Sequence, residues 1–207
     1  MPVTRLALVR HGQSTWNAVG RWQGQADPPL SPLGEEQAAE AAARLVDAGV
    51  TRVVTSDLVR ARRTGQIVAD ALGLGPVDTC PDLGEYDVGE WSGLTKPEIE
   101  DRWPGQQKEW FGGRLPTTPG GEGRASFDRR VMDAVLRIGA GSAPGSVVVV
   151  VTHGGVIRSL ERAVGAPPVP IANLSGRWFD VDEGRALRAG EPLTLVGPDH
   201  RTASPSA

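Results

Sequence analysis

Cysteine is almost missing from this chain: Cys80 is the only one in 207 residues. No intrachain disulfide can form and a cysteine-ligated zinc site is excluded, a usage that fits a reducing cytoplasm. Histidine is scarce too, at His11, His153 and His200 alone, so an imidazole-built metal centre has little to work with. Lysine occurs only at Lys96 and Lys108, leaving arginine as the basic residue; genome composition accounts for that bias. There is no basic excess, the net charge being −3, which argues against a general nucleic-acid binder. Long hydrophobic runs are absent as well. The first apolar stretch is short and broken by Arg5 and Arg10, so neither a signal peptide nor a membrane helix is expected. Apolar content of 39% and charged content of 23% fall in the ordinary globular range. The expectation is one soluble, cytoplasmic domain with a substantial core.

Against this background one stretch stands out, LALVRHGQSTWN at residues 6–17. An apolar run reads as a buried strand and ends in Arg10-His11-Gly12. Arginine offers a fork of donors that matches phosphate oxygens, and histidine can attack or carry a proton near neutral pH. The glycine removes a Cβ that would hinder backbone approach. Taken alone the tripeptide fits an ordinary surface histidine equally well. A second copy of the arrangement, VVVVVTHGG at 147–155, again ends an apolar strand in histidine and glycine.

Between them the chain alternates. Residues 12–30 form a polar, glycine-bearing loop with Asn17, Gln23 and Gly24. Ser31-Pro32 opens a helix that Gly49 stops. Thr51–Thr55 is a strand, and Ser56 is expected to cap the helix that follows, with Arg60 in its first turn. Arg60 reads either as one solvated charge beside Arg62 and Arg63 or as a side chain returning to the strand end. Pro76–Leu83 is expected as a third strand, followed by an acidic loop carrying Glu85. Thr95 and Glu98 form a capping-box pair. Residues 103–124 lose periodicity, and Trp103, Trp110 and Phe111 favour a lid over disorder. Ser126–Ile138 is helical, and 146–152 is β-branched throughout, as befits a central parallel strand. Strands are expected at Leu174–Val181 and Leu193–Val196. Residues 199–207 read as a frayed tail after a domain spanning 1–198, with the lid at about 95–125.

Strand–helix alternation predicts an α/β domain: a single three-layer unit with a mostly parallel central sheet, helices on both faces and a lid insertion. In such sheets ligands bind beyond the carboxyl ends of the strands. That rule brings Arg10, His11, Arg60 and His153 to one edge, with Glu85 close by. Two guanidinium groups and two imidazoles facing one another need an anion, and a phosphoryl group is the obvious one. One histidine can then be the nucleophile and Glu85 the proton donor to a leaving alkoxide. Glu85 can equally be a loop carboxylate paired with arginine.

Five blocks in register, RHGQSTWN, RWQGQADPPLSPLGEEQA, SDLVRARRT, LGEYDVGEWSGLT and VVTHGG, resemble the histidine phosphatase superfamily in its phosphoglycerate-mutase-like branch. The resemblance covers roughly residues 5–158. It implies that His11 is the phosphorylated nucleophile, that Arg10, Arg60 and His153 form the phosphate pocket, and that Glu85 is the acid. It further implies phosphate contacts from Asn17, Gln23, Gly24 and Gly154, and no metal or organic cofactor. The mutases of the branch are similar but carry a longer segment after the acid loop, with a lysine and an arginine pair for a second anionic group. Here that segment is short and its basic residues, Lys96, Lys108 and Arg114 among them, are scattered, so weak anion contacts outside the pocket are expected. Thr64-Gly65 stands where the family has Thr-Ala, a difference expected to be silent.

These features point to a phosphomonoester hydrolase for a small phosphorylated metabolite. The alternatives are a phosphoglycerate mutase and, from another class, a non-catalytic phospho-ligand-binding module. No nucleic acid or membrane partner is expected, and an exposed sheet edge near the C-terminal strands permits a homodimer.

Overall fold

A computed structural model describes residues 3–182 and 186–200. A six-stranded sheet in the order β3-β2-β4-β1-β5-β6 forms its centre. The strands are β1 (Thr4–Arg10), β2 (Val50–Thr55), β3 (Asp78–Thr79), β4 (Val147–Thr152), β5 (Ser175–Asp182) and β6 (Ala186–Thr194). The first four run parallel, while β5 pairs antiparallel with β1 and β6 antiparallel with β5.

The apolar runs of β1 and β4 are explained by burial on both faces. Leu6, Leu8, Val148 and Val150 point into one core with Phe127, Val131, Val135, Val156, Ile157 and Leu160, which belong to α6 (Arg124–Ala140) and α7 (Gly154–Ala163). Ala7, Val9, Val149 and Val151 point into the other, with Ala41, Leu45, Ala61 and Val68 from α2 (Pro32–Leu45) and α3 (Val59–Leu72). The three-layer α/β arrangement follows from this alternation. Loop 12–30 contains one short helix, α1 (Thr15–Ala18). The stretch expected as a lid holds α4 (Lys96–Arg102), opened by the Thr95–Glu98 capping box, and α5 (Gln106–Phe111).

Several local expectations fail for physical reasons. The strand expected over 76–83 shrinks to Asp78–Thr79 on an exposed edge. Pro76 and Pro81 cannot donate to a ladder there, and Pro81 starts a 3₁₀ turn instead. Ser56 does not cap α3. Its hydroxyl accepts the Leu58 amide at 3.2 Å, while the first helical amide, Val59, is held at 2.7 Å by Asp27 from loop 12–30. The last strand is longer and earlier than its apolar residues indicated, because β6 is an edge strand whose polar, Gly- and Pro-bearing sequence needs no buried face. Gly65 is not silent: a Cβ built there meets Thr55 Cγ2 at 2.3 Å, so α3 packs on β2 only because that atom is missing. The 3₁₀ turn Pro198–His200 lies against α2, with His200 Nδ1 2.8 Å from Glu40; the rest of the expected tail, 201–207, lies outside the described residues. Among the described residues no helix is long and apolar enough to cross a membrane.

Candidate active site

Strand register builds the site. Arg10, the last residue of β1, pairs with Thr152, the last of β4, so the residues that follow, His11 and His153, emerge side by side. Their ring centroids lie 5.2 Å apart with edge-on geometry. Strand β2 flanks β4, and α3 departs from its end carrying Arg60 in the first turn. The four side chains thus share the carboxyl edge of the parallel strands. All are buried, with exposures of 8% for Arg10, 2% for His11, 1% for Arg60 and 0% for His153. The surface reading of His11 and the solvated reading of Arg60 are both removed, whereas Arg62 and Arg63 are exposed.

Hydrogen bonds fix the form of His11. Its Nδ1 lies 2.6 Å from the Gly12 carbonyl, which can only accept, so Nδ1 carries the proton. Nε2 accepts from Arg60 Nε at 3.1 Å and therefore holds a lone pair. The strand end is pinned by Asn173, which donates to His11 O, and by Arg10, which donates to Ile171 O. Gly12 has a different use from the expected one: the backbone it admits is that of α2, since a Cβ there would lie 2.5 Å from Gly34 O.

Loop 12–30 holds Arg60 through two carbonyls, Gly24 O at 2.8 Å and Ala26 O at 2.7 Å. Asn17 Oδ1 accepts the Ser14 amide, closing the capping box of α1, and Ser14 Oγ donates to Gln23 Oε1 at 2.6 Å. Gly154 is the first residue of α7, half-buried, with Arg10 Cδ at 4.0 Å from the site of its missing Cβ.

Burial together with cationic neighbours dominates the electrostatics. Desolvation, then Arg60, then Arg10 push His11 well below the usual histidine range. Desolvation, then Arg60, His11 and Arg10 do the same to His153. Burial lowers Arg60 to about 10 despite the attraction of Glu85 and Asp27, and lowers Arg10 against the pull of Glu85. Both ring nitrogens of His153 are buried and lack a hydrogen-bond partner among the described residues. Such polar atoms are costly unless a ligand completes them. An anion with several acceptor oxygens fits this set. Among the described residues no group of three or more His, Cys, Asp or Glu could hold a metal ion.

Glu85 sits across from these cations. Its Oε1 accepts the Tyr86 amide at 2.8 Å and its Oε2 the Gly155 amide at 3.1 Å. A Cβ on Gly155 would lie 2.2 Å from Glu85 Oε1, so it is the second glycine after His153 that admits the acid. Arg130 is the site-supporting residue that sequence reasoning missed. From α6 it donates to three carbonyls of the acid loop, Asp82 and Gly84 at 2.8 Å and Glu85 at 3.0 Å. Glu122 completes the clamp, accepting from Arg130 at 2.7 Å and from the Asp87 amide at 2.8 Å. Nothing in sequence spacing links Glu122 to residue 130. Thr152 Oγ1 donates to Leu83 O at 2.8 Å and ties the same loop to β4.

The fold and the site define a class: an α/β protein with a buried cluster of two histidines and two arginines and one carboxyl beside it. The family profile of the histidine phosphatase superfamily (branch 1) matches residues 6–185. The chain belongs to that superfamily. It is 39% identical to a probable phosphoglycerate mutase GpmB of Yersinia enterocolitica over 92% of this chain and 91% of that protein. It is 38% identical to a glucosyl-3-phosphoglycerate phosphatase of Mycolicibacterium vanbaalenii, over 82% of this chain and 77% of that one. Its fold is similar to that of a mycobacterial glucosyl-3-phosphoglycerate phosphatase solved with VO3. There the TM-score is 0.77 at 33% identity, covering 90% of this chain and 96% of the other.

Proposed function

We propose that this chain is a metal-independent phosphomonoester hydrolase that acts on a small phosphorylated metabolite through a phosphohistidine at His11. The observation that carries the reading is the buried convergence of Arg10, His11, Arg60 and His153, with the nucleophilic lone pair already placed on His11 Nε2. When a phosphate oxygen takes the Arg60 Nε–H, Nε2 is released to attack phosphorus in line. The N–P bond forms as the P–O ester bond breaks, and Glu85 passes its proton to the leaving oxygen. Arg10, Arg60 and His153 stabilise the charge on the equatorial oxygens. A water then attacks the phosphohistidine, its proton goes to the Glu85 carboxylate, the P–N bond breaks, and His11 is restored. Asn17, Gln23, Gly24 and Gly154 complete the pocket in this reading.

The test is phosphate release from a panel of small phosphomonoesters without added metal, for wild type and His11→Ala. Loss of at least roughly 10³-fold in the variant is expected, because the only nucleophile is gone. The relative named as a probable mutase favours a second reading, isomerisation of 3-phosphoglycerate. Following 2-phosphoglycerate in the same reactions, with and without 2,3-bisphosphoglycerate, separates the two: isomer outrunning phosphate identifies a mutase. Silence in both assays identifies a binding module.

A further inference from the structure

Next to the phosphate pocket is a cavity of about 220 Å³ walled by Tyr86, Trp110, Phe111, Phe127, Arg124 and Arg158. This is smaller than the roughly 300–1,000 Å³ of sites for drug-sized ligands, so it suits a few carbon atoms. Gly155 lines it, and Gly155 also holds Glu85. The cavity therefore adjoins the carboxyl that would protonate the leaving oxygen.

The cavity is apolar on one side and cationic on the other. Arg162, also on its wall, pairs with Asp128 at 2.9 Å, and Arg158 with Glu161 at 2.9 Å. Glu161 is already engaged by the buried Arg177 at 3.0 Å. Arg158, Arg162 and Arg177 thus divide two carboxylates between them, and Arg124 adds a fourth guanidinium. Arg124 makes no ion pair among the described residues. Its Nη2 donates to Trp110 O at 2.9 Å and its Cζ lies over the Trp110 ring, 4.0 Å from the centroid, which fixes its direction. Its Nε is buried and lacks a hydrogen-bond partner among the described residues. The positive charge of this wall comes from α6 and α7.

We propose that this cavity is the leaving-group subsite and that Arg124, held on Trp110, selects substrates whose leaving alcohol carries a carboxylate. A carboxylate is planar, matches the guanidinium edge and brings the single negative charge that one unpaired arginine balances. The assignment rests on the phosphatase reading above.

The test compares kcat/KM for 3-phosphoglycerate and glycerol 3-phosphate, which share a three-carbon skeleton and differ in the carboxylate. It is run for wild type, Arg124→Met and Arg124→Lys, with total substrate consumption as the readout. Their ratio is independent of how much enzyme is folded. The expected result is a wild-type preference for 3-phosphoglycerate that shrinks roughly 10–100-fold in Arg124→Met, the range for losing a charged hydrogen bond, and recovers in part in Arg124→Lys. Turnover of both substrates with no preference, or with a preference unmoved in Arg124→Met, would overturn the subsite and leave the phosphatase reading standing. Turnover of no phosphomonoester at all would remove both.

Discussion

His11 can attack phosphorus only as a neutral ring, and its surroundings keep it so. Burial and two arginines hold His11 and His153 well below 6.5, the ordinary histidine value. In unfolded chain both imidazoles take up protons near 6.5, so below that pH the unfolded state binds more protons. Their contribution to stability is complete above about 6.5 and is lost as pH falls towards the folded-state values. Each histidine adds a slope of up to about 1.4 kcal/mol per pH unit in that window. Thermal melts between about pH 8 and pH 5 should show a steeper acid loss for wild type than for His153→Asn; parallel profiles would refute the buried-neutral assignment. At Glu85 the expected signature is leaving-group dependence. Glu85→Gln should slow alkyl phosphates roughly 10²–10⁴-fold, the usual share of general acid catalysis, and p-nitrophenyl phosphate far less. Equal losses on both would remove Glu85 from the acid role. At this scale the sequence was most legible: Arg10, His11, Arg60 and His153 each lie at or shortly after a strand end, and strand ends converge by rule. Gly155 was less so, because its use depends on where the Glu85 carboxyl lands.

The acid loop has only short 3₁₀ turns of its own, and it is held from outside. Arg130 on α6 binds three of its carbonyls, with Glu122 binding Arg130 and the Asp87 amide. Arg130→Ala leaves a half-buried Glu122 and three carbonyls without their donor, a loss of about 1–3 kcal/mol. If the clamp aims Glu85, the variant should reproduce the leaving-group signature of Glu85→Gln in weaker form, while Arg130→Lys restores part of it. A uniform loss on alkyl and aryl phosphates would mean that the clamp serves stability alone. Elements with a strong period, such as α2, or with two buried faces, such as β4, were readable from sequence. Those governed by a distant partner were not: α3 starts where Asp27 meets Val59, and β3 is cut short between prolines at an exposed edge.

At the scale of the whole molecule, the site exists because β1 and β4 are neighbours. Residues far apart in the chain are brought into one pocket by parallel pairing of Arg10 with Thr152, and no local feature of either segment encodes that distance. The adjoining aromatic cavity is another product of the assembled fold. It gathers Trp110 and Phe111 from α5, Arg124 and Phe127 from α6 and Arg158 from α7. Trp103 and Trp22 pack on the core, as Trp110 also does, and Trp22 meets Trp91 edge-on with ring centroids 5.4 Å apart. Sequence could name these aromatics and could not sort them, since stacking on a ligand and packing on a core use the same side chains.

The account turns on a covalent bond between phosphorus and His11 Nε2, and that bond can be sought directly. Wild-type protein mixed with a rapidly cleaved aryl phosphate, quenched within milliseconds in alkali and digested for mass spectrometry, should carry an acid-labile, alkali-stable phosphoryl group on the peptide containing His11. The group should appear no later than the first turnover and be missing in His11→Ala. Phosphate released at full rate with no phosphopeptide at His11, or with the label on His153, would contradict it.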